Sequence, residues 1–201
     1  MPDGRHFSAV RVEADGTQRL WRFTIEGTDP ALLLPDVKAV GYHAWIDSGR
    51  LALYILGASG EQGSGRPSTL QMATLADGST RIVASNIGRS IQRMPDGRVS
   101  FVSREQDSGG SPVKTSIRAW DPTSGRIDTL VDAPEGQSDV DTAWTPDGTL
   151  LVSNRTALLA WRPGDSTLSA AVDLAPLGLS GASRLAISPK GDRIAIVALP
   201  R

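Results

Sequence analysis

Cysteine is absent from the 201 residues, which excludes disulfides and thiolate metal sites. Histidine occurs twice, at His6 and His43, too few to build a histidine zinc centre. No G-x-S-x-G nucleophile elbow is present, so a Ser-His-Asp hydrolase has no anchor here. No apolar run approaches the roughly 20 residues of a membrane span. The opening Met1-Pro2-Asp3-Gly4-Arg5-His6 lacks the basic and apolar parts of a signal peptide. Charge of either sign is not in excess: the formal net charge is −1, with no basic run. That excludes an electrostatic footprint for nucleic acid or for an anionic membrane surface. These absences lead us to expect a monomer with no nucleic-acid partner, no membrane insertion and no cofactor, cytoplasmic as the chain stands.

What is present is glycine, 21 residues, and proline, 13, against only 5% aromatics. Many short strands separated by turns give such a balance. The turns repeat. Met1-Pro2-Asp3-Gly4-Arg5 returns letter for letter as Met94-Pro95-Asp96-Gly97-Arg98. Looser copies are Ile46-Asp47-Ser48-Gly49-Arg50, Thr145-Pro146-Asp147-Gly148-Thr149 and Ser188-Pro189-Lys190-Gly191-Asp192. The marker glycines 4, 49, 97, 148 and 191 are spaced by 45, 48, 51 and 43 residues. A period of about 40–50 residues is that of one four-stranded propeller blade. Proline presets φ, aspartate bonds its own backbone and glycine accepts positive φ, so each copy reads as a tight turn between antiparallel strands.

Short apolar or alternating segments flank each turn: Tyr42–Ile46, Ser90–Met94, Asp141–Thr145 and Arg184–Ser188 before it, His6–Val12, Leu51–Leu56, Val99–Ser103, Leu150–Ser153 and Arg193–Ala198 after it. A third segment carries tryptophan in three copies, at Trp21, Trp120 and Trp161, and a fourth follows a polar turn. We therefore expect an all-β chain, a β-propeller of four-stranded antiparallel blades with about four to five blades present. The blades are a partial blade 1–40, blades 41–88, 89–137 and 138–181, and a partial blade 182–201. Leu174 to Leu179 reads as a connection between blades.

The first repeat begins at its turn and the last stops after two strands. Either this is a small four- or five-bladed ring with an irregular closure, or N-terminal strands are missing and Met1 stands where Met94 stands in its own repeat. The second is the expectation, because an unpaired inner edge strand is a liability.

The repeated PDG(R) turn, the short apolar strand after it, and the Leu-Trp-Arg and Arg-Ala-Trp third strands resemble the TolB-like propeller repeats over nearly the whole chain. The resemblance implies an incomplete or open ring cut from a six-bladed parent. That parent would be periplasmic or secreted if it carries an export signal. It implies a non-catalytic scaffold for a protein or peptide partner, probed against two alternatives: a propeller hydrolase or lactonase using channel carboxylates, and a non-functional fragment. TolB's own partner-binding N-terminal domain has no match here, and no hydrolase domain follows.

No catalytic residue and no metal ligand is assigned. Asp139-x-Asp141 would suit calcium, but a polar loop before a strand explains that spacing better. The glycine-rich Gly57–Gly65 and the segment Gln106–Pro112 read as hairpin insertions on one rim. If the strand before each marker turn is innermost, it lines the channel. Aligned to the turns, His43 and Gln92 form one set of channel-mouth binding candidates, and Ser90, Asp141 and Arg184 another; alternation turns only one set inward.

Overall fold

The computed structural model describes residues 1–58, 65–107 and 112–200. The insertions expected at Gly57–Gly65 and Gln106–Pro112 fall largely on 59–64 and 108–111, outside the described residues. Among the described residues there is no α-helix, only a 3-10 turn at Ala175–Leu177.

Seventeen strands of the described residues form five antiparallel sheets, each a meander in chain order. The first holds β1 (His6–Val12), β2 (Gln18–Thr24) and β3 (Ala31–Leu33). The second holds β4 (Val40–Trp45), β5 (Arg50–Ile55), β6 (Thr69–Thr74) and β7 (Thr80–Ser85). The third holds β8 (Ile87–Arg93), β9 (Val99–Gln106), β10 (Pro112–Trp120) and β11 (Ile127–Asp132). The fourth holds β12 (Thr142–Trp144), β13 (Leu150–Asn154), β14 (Ala157–Trp161) and β15 (Ser169–Asp173). The fifth pairs β16 (Leu179–Ile187) with β17 (Ile194–Pro200).

The marker turns carry the geometry their residues demand. Met94 accepts from the Gly97 amide at 3.0 Å, Met94 N–H donates to Arg98 O at 2.8 Å, and Gly97 sits at φ 89°. This is a type I turn closed by a left-handed glycine, with proline at the position whose φ it fixes. Gly4, Gly148 and Gly191 repeat it, at φ 64°, 86° and 73°. Asp96 accepts the Arg98 amide at 3.0 Å, and Asp3 accepts that of Arg5 at 2.9 Å. The Gly49 turn differs. It has no proline, its glycine keeps negative φ, and Asp47 clamps the amides of Gly49 and Arg50 at 2.9 and 2.8 Å instead.

The strands gather into two compact units, Met1–Ile87 and Gly88–Arg201. In the first, Val10, Leu20, Leu33 and Leu34 pack against Val40, Leu51, Leu53 and Ala73, so sheet one lies on sheet two. In the second, β13 divides its residues by the period of two. Leu150 and Val152 join Val102, Ile117 and Val131 of sheet three, while Leu151 turns to Ala182, Leu185 and Ile196 of sheet five. Burying each of these aliphatic side chains stabilises the stack by roughly 2 kcal/mol. An isolated sheet of this kind has no such cover, which is why the repeats must stack.

Candidate functional site

The strand connections of the second unit fall at two ends of its sheets. Marker turns occupy one end. The segment 133–141 that leads from β11 to β12 occupies the other. On this second end five charged residues meet. The Arg89 guanidinium contacts Asp141 at 2.8 Å through Nη2 and 3.4 Å through Nε, and Arg184 Nη1 reaches the same carboxylate at 3.3 Å. Arg104 Nη2 lies 3.1 Å from Asp139, and Arg89 Nε lies 3.9 Å from it. The order Arg104, Asp139, Arg89, Asp141, Arg184 is a ladder of alternating sign with a cation at both ends.

Each member has a local reason to be there. Gly88 leaves room for Asp139: a Cβ on Gly88 would stand 2.5 Å from Asp139 Oδ1 and 2.8 Å from Val102 Cβ. The same Oδ1 accepts the Arg89 amide at 3.3 Å. Asp141 is fixed by its backbone, whose amide donates to Ser153 Oγ at 3.0 Å and whose carbonyl accepts the Ser153 amide at 2.9 Å. Its side chain is only 9% exposed. Arg184 lies at an irregularity in the β16–β17 register and takes φ 52°, a left-handed conformation that costs a non-glycine residue about 1 kcal/mol. A bulge of this kind re-aims a side chain, and here it sends the guanidinium to Asp141.

Of the channel-mouth candidates, the structure brings Ser90, Asp141 and Arg184 to one region. Asp141 and Arg184 are in the ladder. Ser90 lies one residue along from Arg89, buried, with its Oγ 2.8 Å from Thr142 Oγ1 and accepting the Thr142 amide at 3.0 Å. It therefore braces β8 against β12 directly beneath the Arg89–Asp141 pair. Gln92 is half-buried, and its carbonyl accepts from Ser100 Oγ at 3.5 Å. Grouping it with His43 does not hold: His43 stands six residues before Gly49, whereas Gln92 stands five before Gly97 and so points to the opposite face. Arg89 and Arg104 were not singled out from sequence. Their signal, an arginine one position before Ser90 and a strand that runs past Ser103, is visible only once β9 extends to Gln106.

His43 belongs to the first unit. The Trp45 indole donates to Ser8 Oγ at 2.9 Å, and Ser8 Oγ lies 2.7 Å from His43 Nε2. Burial, aided by the charge of the Met1 ammonium group, lowers the His43 pKa to about 4, so the ring is neutral at pH 7. The contact has the spacing of a nucleophile and its base. However, the same serine–indole bond recurs between Ser100 and Trp144 at 2.8 Å with no histidine involved. The serine is there for the tryptophan, and His43 is packed beside it.

Tryptophan packing is the rule elsewhere. Trp161 meets Trp144 edge-on at 6.3 Å between ring centres, and both belong to the core between sheets three and four. Trp21 departs from this, with Arg11 over its ring at 5.0 Å and its indole donating to Glu13 at 2.6 Å. Beside the ladder, on the same end of the unit, a cavity of about 440 Å³ is lined by Lys114, Asp132, Pro134, Glu135 and Gln137 among others. Among the described residues no group of three or more histidine, aspartate and glutamate side chains is placed to hold a metal. No described helix is long and apolar enough to cross a membrane.

No protein-family model matches the chain. No curated protein matches it either. Solved structures do. TolB from Acinetobacter baumannii aligns over 100% of this chain at TM-score 0.70 and 18% identity. The chain spans 48% of that protein, about half its length. An oligogalacturonate lyase in complex with manganese aligns over 96% of the chain and 58% of its own, at TM-score 0.62 and 13% identity. A gluconolactonase from Xanthomonas campestris aligns over 96% and 69%, at TM-score 0.61 and 16% identity. At these identities what is shared is the fold, and one fold serves both binding proteins and enzymes. The chain has the fold of a TolB-like β-propeller.

Proposed function

We propose that this chain is a non-catalytic propeller scaffold that binds a protein or peptide partner on the end of the second unit where the Arg–Asp ladder lies. One observation carries the reading: both carboxylates that a lactonase-like mechanism would need are already engaged by guanidiniums, Asp141 by two of them. A divalent cation at Asp141 would have to sit beside Arg89 and Arg184 and displace their contacts, at a like-charge cost that a hard oxygen site avoids. The likeness to TolB supports the scaffold, and following that resemblance the scaffold belongs at the cell envelope.

The test is selection from a display library of random twelve-residue peptides on the immobilised chain, repeated on an Arg104→Gln variant. The reading expects enriched peptides whose capture drops on the variant. Failure to enrich any peptide, together with turnover of a lactone or a uronate oligomer by the purified chain, would overturn it. Cell fractionation tests the location, and recovery of the full-length protein only from the cytoplasm would overturn that part.

A further inference from the structure

We propose that the cavity beside the ladder receives a basic side chain of the partner, an arginine or a lysine. This rests on the peptide-scaffold reading and names the group that the partner inserts. The cavity holds about 440 Å³, within the range of small-ligand sites and ample for one long side chain. One wall is the start of β10, from Val113 to Thr115, and the other is the turn that leaves β11, from Pro134 to Ser138. Backbone bonds hold the two in place. The Ala133 amide donates to Thr115 O at 2.9 Å, and the Gln137 amide closes the turn on Pro134 O at 3.2 Å, with Gly136 at φ 72°.

The polar groups of this lining chiefly accept. Asp132 Oδ1 takes Lys114 Nζ at 2.9 Å, which commits that ammonium. Glu135 is exposed, and among the described residues no donor reaches its carboxylate. Gln137 gives an N–H to Asn154 Oδ1, and its own Oε1 adds an acceptor. Lys114, Asp132 and Glu135 together carry one negative charge. Arg104, opposite Thr115 in the β9–β10 register, is turned to Asp139 at 3.1 Å. The remaining wall is apolar: Val113, 66% exposed, with Ala133 and Pro134. Acceptors of net negative charge beside an open aliphatic wall match a cation carried on an apolar stem. A carboxylate guest would meet Asp132 and Glu135 as like charges, and an apolar guest would strip water from Glu135 without pairing it.

The experiment measures fluorescence anisotropy of labelled octapeptides, acetylated and amidated at their ends, that alternate serine with arginine, with lysine or with glutamine. The inference expects the arginine and lysine peptides to bind about tenfold or more tighter than the glutamine peptide at low salt, and to weaken as salt rises. Val113→Ser removes the aliphatic contact to the stem and should cost both basic peptides about threefold.

Glu135→Gln keeps the size of an exposed side chain, so the preference should fall about tenfold while the melting temperature stays within about 2 °C. Glu26→Gln makes the same change of charge on the exposed turn between β2 and β3 of the first unit, and should leave the preference as it is. Equal binding of the basic and glutamine peptides, a Glu135→Gln variant that binds as the parent does, or an equal loss on Glu26→Gln overturns the inference. If random peptides are captured in an Arg104-dependent way but arginine and lysine gain nothing, the scaffold reading stands and this inference falls.

Discussion

At the scale of residues, the ladder makes sharp demands. Asp141 separates two guanidiniums, so Asp141→Asn leaves Arg89 and Arg184 facing each other across a neutral amide. Breaking a nearly buried pair from one side costs about 3 kcal/mol, and urea denaturation should show a loss of that order. Gly88→Ala tests the opposite demand. Its new Cβ would meet Asp139 and Val102 at 2.5 and 2.8 Å, an overpacking that should cost roughly 1–3 kcal/mol in the same assay. His43 gives a pH signature. Its folded pKa, about 4, lies below the 6.5 of the free side chain, so the unfolded chain takes up the proton first. Its contribution is complete above about pH 6.5 and is lost as pH falls towards 4, on the order of 3 kcal/mol. Denaturation midpoints between pH 7 and pH 5 should fall, and His43→Gln should flatten that part of the curve.

At the scale of elements, the serine–tryptophan bond is the device that joins neighbouring sheets. Ser100, three residues after Gly97, accepts from Trp144, four before Gly148. Leu151 and Ile187 stand at the same offsets from Gly148 and Gly191 and meet in an apolar cluster instead. The junction position is therefore kept while its chemistry changes. Ser100→Ala should cost about 1–2 kcal/mol by stranding the indole N–H, and adding Trp144→Phe should recover part of that loss. A double-mutant cycle from urea curves checks it.

The turns and strands were legible in the sequence because proline, aspartate and glycine each do there what their chemistry dictates; β1 matches the expected His6–Val12 segment to the residue. The junction was not, because Ser8 stands four residues after Gly4 where Ser100 stands three after Gly97. The ladder was half legible. Asp141 and Arg184 share an offset of seven from their marker glycines, but Arg89 stands at eight and Arg104 on another strand. Ion pairs between repeats follow side-chain reach, which a register count does not contain.

At the scale of the molecule, sheets that hide their apolar faces on one another form a scaffold, and the chemistry is added at strand ends. The same fold carries TolB, a gluconolactonase and a manganese-bound lyase. On the scaffold reading proposed above, Asp139 and Asp141 are committed to arginine rather than to a metal or a substrate. The most direct measurement is the melting temperature of the chelator-treated chain, taken without metal and with millimolar calcium or manganese. A ligand at a hundred times its dissociation constant stabilises by about 2.7 kcal/mol, several degrees for a domain of this size. The account predicts identical melting in all three conditions. A rise of several degrees that disappears in Asp141→Asn would contradict it.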